Sequence, residues 1–166
     1  MTATPISSVV RYALFGTREY VMVPTIAAAT LIPTRAEIDA GTDLTPEVAA
    51  VEGFNVTGED LETPDMASDF TPKIPGRTTV EDSSITLYAD QDSDDVRTLF
   101  TRGQQTNIVI FPEGDDEGVD LHKMDIFQVR VKSVGKPNEM EEAGRITTMF
   151  SITKKPVENI AVPTSP

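Results

Sequence analysis

The chain has 166 residues, contains neither cysteine nor tryptophan, and carries a formal net charge of −13 at neutral pH. This length suits one domain with a sizeable core, although two small domains are also compatible with it. The missing cysteines exclude disulfides and thiol chemistry, no apolar run is long enough to span a membrane, and the negative charge disfavours binding to nucleic acid through phosphate contacts.

The elements predicted in the first third of the chain are short. Residues 1–19 are interpreted as an N-terminal arm, and Tyr20–Val23 predicts a strand that Pro24 ends. The sequence Thr34-Arg35-Ala36-Glu37 has the pattern of a capping box and predicts one or two helical turns before Gly41. A strand from Leu44 to Val56, broken near Gly53, is expected next.

The segment Thr57–Arg77 is predicted to be a long irregular loop. Its three prolines and two glycines argue against a central strand or a helix, and loops of this length in compact domains are usually functional or flexible. Its apolar residues indicate that the loop packs on another surface. The candidate contact residues are Leu61, Met66, Phe70, Ile74 and Pro75.

The second half of the chain reads as strands around one helix. A strand-rich stretch at Thr78–Tyr88 precedes a helix predicted over Ser93–Arg102, which Ser93 caps and Gly103 ends. The apolar stripe of this helix is Val96, Leu99 and Phe100, at the spacing of one helical face.

Three further strands are predicted, and in the last two of them apolar residues alternate with polar ones. They span Thr106–Phe111, Ile126–Val134 and Arg145–Thr153, and the last two are expected to pair across the connection 135–144. Residues 156–166 are interpreted as a polar tail with several prolines. The predicted fold is therefore mainly β, with one short flanking helix, in a single domain of residues 20–155 between terminal arms.

No constellation of residues indicates catalysis. His122 is the only histidine, and the chain has no GxSxG elbow, no P-loop and no GxGxxG. The acids at Asp90–Asp95 resemble the start of a calcium loop but lack its glycine and its last glutamate. The acids at Glu113–Glu117 lie among glycines and predict an exposed turn. We expect no enzyme, no cofactor and no metal site.

The charge is unevenly distributed along the chain. Residues 36–95 contain sixteen acids, and Lys73 and Arg77 are their only basic residues. The segment 126–156 is basic instead, through Arg130, Lys132, Lys136, Arg145, Lys154 and Lys155. Opposite charges on two parts of one chain permit head-to-tail contacts between copies.

Three long stretches carry a resemblance to a known family. PTRAEIDAGTDLT, GFNVTGEDLETPDMASDFTPKIPGRTTVEDSSITLYADQDSDDVRTLF and ITTMFSITKKPVENIAVP resemble the major tail protein, or tail tube protein, of long-tailed (siphovirus-type) bacteriophages. The likeness is greatest to proteins of actinobacterial phages and prophages and covers roughly residues 20–163. The most specific pieces are Thr34–Thr45, Thr63–Arg77, Asp82–Leu99 and Phe150–Pro156.

The resemblance implies a β-sandwich or barrel whose copies form hexameric rings, stacked as a hollow virion tail tube that conducts DNA. The tube is assembled in the cytoplasm of the host bacterium. The partners implied are other copies of the chain, the tail tip or baseplate, the tape measure protein and the tail terminator, with transient passage of DNA and no membrane. On this reading the segment 57–77 bridges subunits or rings. Acids expected to face the lumen are Glu81, Asp82, Glu113, Asp115, Asp116 and Glu117.

Two alternatives remain open at the level of sequence. One is the inner tube of a contractile or tail-like injection particle that carries an effector. The other is a monomeric acidic β-sandwich that binds a cation through Asp90–Asp95 or Glu113–Glu117. The monomer would gain stability from calcium, whereas a tube protein would self-associate regardless of a chelator.

Overall fold

Apolar residues that alternate with polar ones, or that form a short unbroken run as in Ile108–Phe111, place much of the chain in β-strands. The computed structural model describes residues 13, 16–92, 95–116, 122–136 and 143–164. The strands of these residues are β1 (Glu19–Val23), β2 (Thr42–Asp43), β3 (Val48–Glu52), β4 (Val56–Glu62), β5 (Lys73–Val80), β6 (Ser83–Tyr88), β7 (Gln105–Phe111), β8 (Lys123–Gly135), β9 (Arg145–Ile152) and β10 (Val157–Ala161). The helices are α1 (Arg35–Asp39) and α2 (Asp95–Leu99), with a 3-10 turn at Thr45–Glu47. The mainly β fold predicted from the sequence is confirmed.

Eight strands form one antiparallel sheet in the order β2-β1-β7-β8-β9-β6-β3, and β10 also pairs with β8. Strand β8 organises this sheet because its 13 residues contact three strands. It pairs with β7 on one side, and on the other side its first residues pair with β10 and its last with β9. The predicted pairing across residues 135–144 is thus confirmed.

The sheet is buried on both faces at its centre. The first core cluster contains Ile108 and Ile110 of β7, together with residues of β1, β6, β8 and β9, and α2 covers it. The second cluster contains the alternate residues Val109 and Phe111, and Ile38 of α1 lies against them. Because side chains alternate across a strand, β7 supplies both cores. The sheet curls around the first cluster, since strands from both of its halves contribute to it.

Helix α1 begins as its sequence predicts. Thr34 caps α1: its hydroxyl accepts from the Glu37 backbone N–H, and the Glu37 carboxylate accepts from the Thr34 N–H at 2.7 Å. The second helix is shorter than predicted, because it ends at Leu99 rather than Arg102; the predicted cap, Ser93, lies outside the described residues. Val96 and Leu99 pack against the first cluster as the stripe predicts. No helix in the described ranges is long and apolar enough to cross a membrane.

The prediction of an irregular loop over Thr57–Arg77 is wrong. This segment is a β-hairpin, in which β4 and β5 form a two-stranded sheet of their own. Pro75 fits into β5 because it lies opposite Asp60, beside a register shift, in a sheet that has two free edges within the described chain. Only residues 63–72 remain irregular, and the Thr63 N–H closes this tip by donating to the Pro72 carbonyl at 2.9 Å.

The interpretation of residues 156–166 as a tail is also wrong in part. Residues 157–161 form β10 against the start of β8, and Val162 is buried in the second cluster. A register shift divides the pairing of β10, and Asn159 there has a φ of 58°, which asparagine tolerates better than most residues. Residues 1–12, 14 and 15 of the predicted N-terminal arm lie outside the described residues.

Candidate interaction surface

The hairpin β4–β5 carries the most exposed apolar side chains of the described chain. Met66 and Phe70 at its tip are 106% and 72% exposed, and Leu61 and Ile74 are 55% and 49% exposed. Leu61 lies directly opposite Ile74 in the register, so their side chains share one face of the hairpin. Exposed apolar side chains grouped on one element make the hairpin a candidate interaction surface, because water is a poor environment for them.

The hairpin leaves the domain at a defined position, the dipeptide Gly53–Phe54. Both residues have positive φ, 75° and 53°, and a Cβ on Gly53 would lie 2.6 Å from the Asp82 carbonyl oxygen. The Phe54 ring packs against Phe127 and Phe150 of the first core cluster, with centroid distances of 5.2 and 6.1 Å. The first core cluster therefore holds Phe54, the residue at which the chain leaves the main sheet for the hairpin.

A cleft of about 420 Å³ opens at the foot of the hairpin. One wall is the base of β4 and β5, and the other is the end of β9 with the residues that follow it. Its lining combines apolar and hydroxyl side chains with two lysines: Val56, Thr78, Thr79, Val80, Ile152, Thr153, Lys154, Lys155 and Pro156. This composition suits a ligand with an apolar body and negative charges.

The acids predicted to face a lumen lie on two different connections of the fold. Glu81 and Asp82 are exposed between β5 and β6, and Asp82 pairs with Lys132 of β8 at 3.2 Å. Glu113, Asp115 and Asp116 follow β7, and Glu117 lies outside the described residues. Whether either group faces a lumen stays a prediction.

Asp115 differs from the other predicted acids because it is engaged inside the protein. Its carboxylate accepts two hydrogen bonds from the guanidinium of Arg35, with Nη2 to Oδ2 at 2.8 Å, and Arg35 Nε also donates to Asp39. The side chains of Arg35 and Asp115 are only 13% and 14% exposed. The hydrogen bond with Asp115 raises the pKa of Arg35 above its ordinary value, against the opposing effect of burial.

A second carboxylate, Glu19 of β1, lies beside this ion pair. Burial raises the pKa of Glu19 above its ordinary value, and the negative charge of Asp115 raises it further. Sequence reasoning missed the whole cluster. Arg35 and Asp39 stand at the i,i+4 spacing of a helical ion pair, which was readable, but Asp115 is 80 residues away from Arg35 along the chain.

The described residues contain no group of three or more His, Cys, Asp or Glu side chains that could hold a metal ion. His122 lies near Asp116, with 3.9 Å between Nδ1 and Oδ2. Both groups of acids predicted as alternative cation sites extend beyond the described residues, at Ser93 and Asp94 in one group and at Glu117 in the other.

A family model described as phage tail tube protein matches residues 10–165 of the chain. No curated protein sequence matches it.

Several solved structures share the fold. The tail tube of SPP1 is similar with a TM-score of 0.57 and 13% sequence identity, over 92% of this chain and 82% of that one. The sheath/tube terminator of the extracellular contractile injection system PVC gives a TM-score of 0.62 and 10% identity, over 92% and 99%. The tube-terminating cap of the anti-feeding prophage gives 0.58 and 10%, over 97% and 100%. At these identities the likeness is one of fold.

Proposed function

This chain belongs to the phage tail tube protein family, and from that premise we propose that its copies form hexameric rings that stack into the hollow tube of a siphovirus-type tail. Membership of the family makes it a structural, non-enzymatic protein of the virion tail. Its proposed partners are further copies of itself, a tail tip or baseplate, a tape measure protein and a tail terminator. Assembly in the cytoplasm of the host bacterium is part of the same proposal.

The observation that carries self-association is the exposed apolar face of the hairpin. Leu61, Met66, Phe70 and Ile74 are each about half exposed or more in the single chain. A two-stranded hairpin is only marginally stable by itself in water, and burial of its apolar face against another copy would stabilise both the hairpin and the assembly. The hairpin is therefore our candidate for the segment that bridges subunits or rings.

The acidic composition supports a conduit for DNA. With a net charge of −13, a lumen lined by carboxylates would repel phosphates and keep DNA from adhering as it passes. Glu81, Asp82, Glu113, Asp116 and Glu117 are the proposed lumen acids. Asp115 contributes less to such a lining, because Arg35 compensates its charge.

A second candidate is the inner tube of a contractile or tail-like injection particle. It is supported by the similarity of the fold to a terminator and a cap from two such particles. Both candidates share the self-associating tube and differ in what passes through it.

Electron microscopy of the purified, untagged protein over a range of concentrations, with and without a chelator, tests the shared proposal. We expect rings or hollow tubes that persist in the chelator, because the contacts are apolar and do not depend on a metal. A chain that stays monomeric at its highest soluble concentration, and gains stability from calcium, would contradict the proposal and favour the cation-binding monomer.

A further inference from the structure

We propose that the cleft at the foot of the hairpin receives the hairpin tip of a second copy of the chain. The donor is the segment 63–72 with Met66 and Phe70, and the acceptor is the cleft between the β4–β5 base and the end of β9. This inference rests on the proposed self-association. It names the two surfaces that meet at one contact between copies of the chain.

Donor and acceptor both present apolar surface. The cleft measures about 420 Å³ and offers Val56, Val80 and Ile152 as apolar lining. Met66 and Phe70 protrude from the tip into water and contact no core cluster. An aromatic side chain buries about 150–250 Å² when it is enclosed, so seating Phe70 in the cleft would remove a large part of the exposed apolar surface.

The charges of the two surfaces are complementary. Lys154 and Lys155 line the cleft, both are exposed, and neither makes an ion pair with any described residue. At the tip, Asp65 precedes Met66 and Asp69 precedes Phe70. Both acids are exposed, and neither makes an ion pair within the described ranges. Complementary charges at the rim of a contact select the partner and its register more than they add affinity.

The geometry of the hairpin prevents a chain from filling its own cleft. Thr57 pairs with Thr79 at the foot, and Glu62 pairs with Lys73 five residues farther along β4. At about 3.3 Å per residue the tip begins roughly 16 Å from the cleft. Donor and acceptor are thus different surfaces of one molecule, and a contact between different surfaces propagates from copy to copy into a ring or a filament.

Disulfide cross-linking tests the contact directly, because the chain has no cysteine of its own. The variant with Met66→Cys and Thr79→Cys places one thiol on the tip and one in the cleft. Two cysteines can be bridged only when their Cα atoms lie within about 7 Å, so no bond can form within one chain. Under mild oxidation we expect a ladder of covalent oligomers, whereas either single-cysteine variant stops at a dimer.

The matched control combines Met66→Cys with Thr98→Cys, an exposed position on α2, which lies beside Leu87 at the opposite end of the sheet from the cleft lining. No ladder is expected from it. Equal ladders from both pairs would show random collision and overturn the inference. Intact rings or tubes of the tip-and-cleft variant in the microscope, without any ladder, would overturn this contact while leaving the proposed function in place.

Charge reversal gives a second test without cysteines. Lys154→Glu with Lys155→Glu, or Asp65→Lys with Asp69→Lys, should each raise the concentration needed for assembly by about tenfold or more, a change of about 1.4 kcal/mol. An equimolar mixture of the two variants restores both opposite-charge contacts and should assemble like the wild type. A mixture as defective as its components would overturn the inference.

The control for net charge is the variant with Arg102→Glu and Lys136→Glu, which reverses the charge of two exposed basic residues outside the cleft. This variant should sediment as the wild type does. An equal loss of assembly would attribute the effect to total charge rather than to the cleft. A wild-type chain that forms no assembly at any concentration would instead count against the proposed function itself.

Discussion

At the scale of single residues, the cluster of Arg35, Asp115 and Glu19 shows how the fold redistributes its negative charge. Arg35 on α1 holds Asp115 from the connection after β7 and thereby fastens the helix to the sheet. Glu19 on β1 lies beside this pair and has no cationic partner in the described contacts. Burial and the negative charge of Asp115 raise the pKa of Glu19, so its ionised form is disfavoured in the folded state.

Asp115→Asn should destabilise the protein by about 1.5–3 kcal/mol, the range for a hydrogen bond to a charged group. The substitution leaves the guanidinium of Arg35 half-compensated in a site that is largely shielded from water. Chemical denaturation measures the change. Asp116→Asn is the matched control, because that side chain is 76% exposed and its loss should change the free energy of unfolding by less than about 0.5 kcal/mol.

Glu19→Gln should stabilise the protein slightly at pH 7, by about 0.5 kcal/mol. A carboxyl group whose pKa is raised on folding binds its proton more tightly in the folded state, so its unfavourable contribution exists at neutral pH and shrinks as the pH falls through the folded pKa. The gain should therefore be absent at about pH 3, below the ordinary pKa of a glutamate, where a carboxyl group with a raised pKa is protonated in both the folded and the unfolded state. An equal gain at both pH values would show that charge is not its cause.

At the scale of elements, the hairpin depends on its anchor rather than on its own sheet. Gly53 and Phe54 turn the chain out of the core through two residues of positive φ, and the Phe54 N–H donates to Ser83 Oγ at 2.9 Å. The aromatic contacts of Phe54 with Phe127 and Phe150 offset the backbone strain at this position.

Phe54→Ala should cost about 2 kcal/mol of stability, less than the roughly 3–5 kcal/mol of a fully buried ring, and should speed hydrogen exchange in β4 and β5. Phe70→Ala, in the same hairpin but 72% exposed, is the control and should leave the stability of the single chain unchanged. Equal effects of the two substitutions would mean that the ring of Phe54 does not anchor the hairpin.

At the scale of the whole molecule, the main sheet buries its apolar side chains, whereas the hairpin β4–β5 leaves its own exposed. The sheet buries a cluster on each face, and the hairpin stands apart as a second sheet. We therefore expect a subunit to fold before it assembles, because neither core cluster includes the hairpin tip.

Met66→Ser with Phe70→Ser should therefore leave the midpoint of thermal unfolding of the single chain almost unchanged and abolish rings and tubes. Met66→Leu with Phe70→Leu preserves the apolar surface and should assemble. Circular dichroism and electron microscopy read the two properties separately. Unimpaired assembly of the serine variant would remove the tip from the proposed interface.

Local sequence patterns could predict the elements that depend on residues close to one another in the chain. The capping box at Thr34 and the strands β7, β8 and β9 were predicted, because each depends on residues within a few positions of one another. The hairpin and β10 were missed. In both segments proline and polar residues argue against a strand, and only pairing with a strand elsewhere in the fold overrides them.

The candidate interaction surface was also predicted only in part. Leu61, Met66, Phe70 and Ile74 were selected as contact residues from their sequence alone, and the structure leaves all four exposed on one hairpin. Their role in contact remains a prediction. The cleft with Lys154 and Lys155 was not predicted, because its walls come from segments about 75 residues apart.

The sequence by itself determined the strand content, the acidic charge, the short capped helix and the family, because each of these is written in composition, local periodicity or long similar stretches. Only the tertiary structure decided which acids remain free and which, like Asp115, are compensated, and where the hairpin stands relative to its cleft. Those properties depend on side chains brought together from distant parts of the chain, and no local pattern encodes such distances.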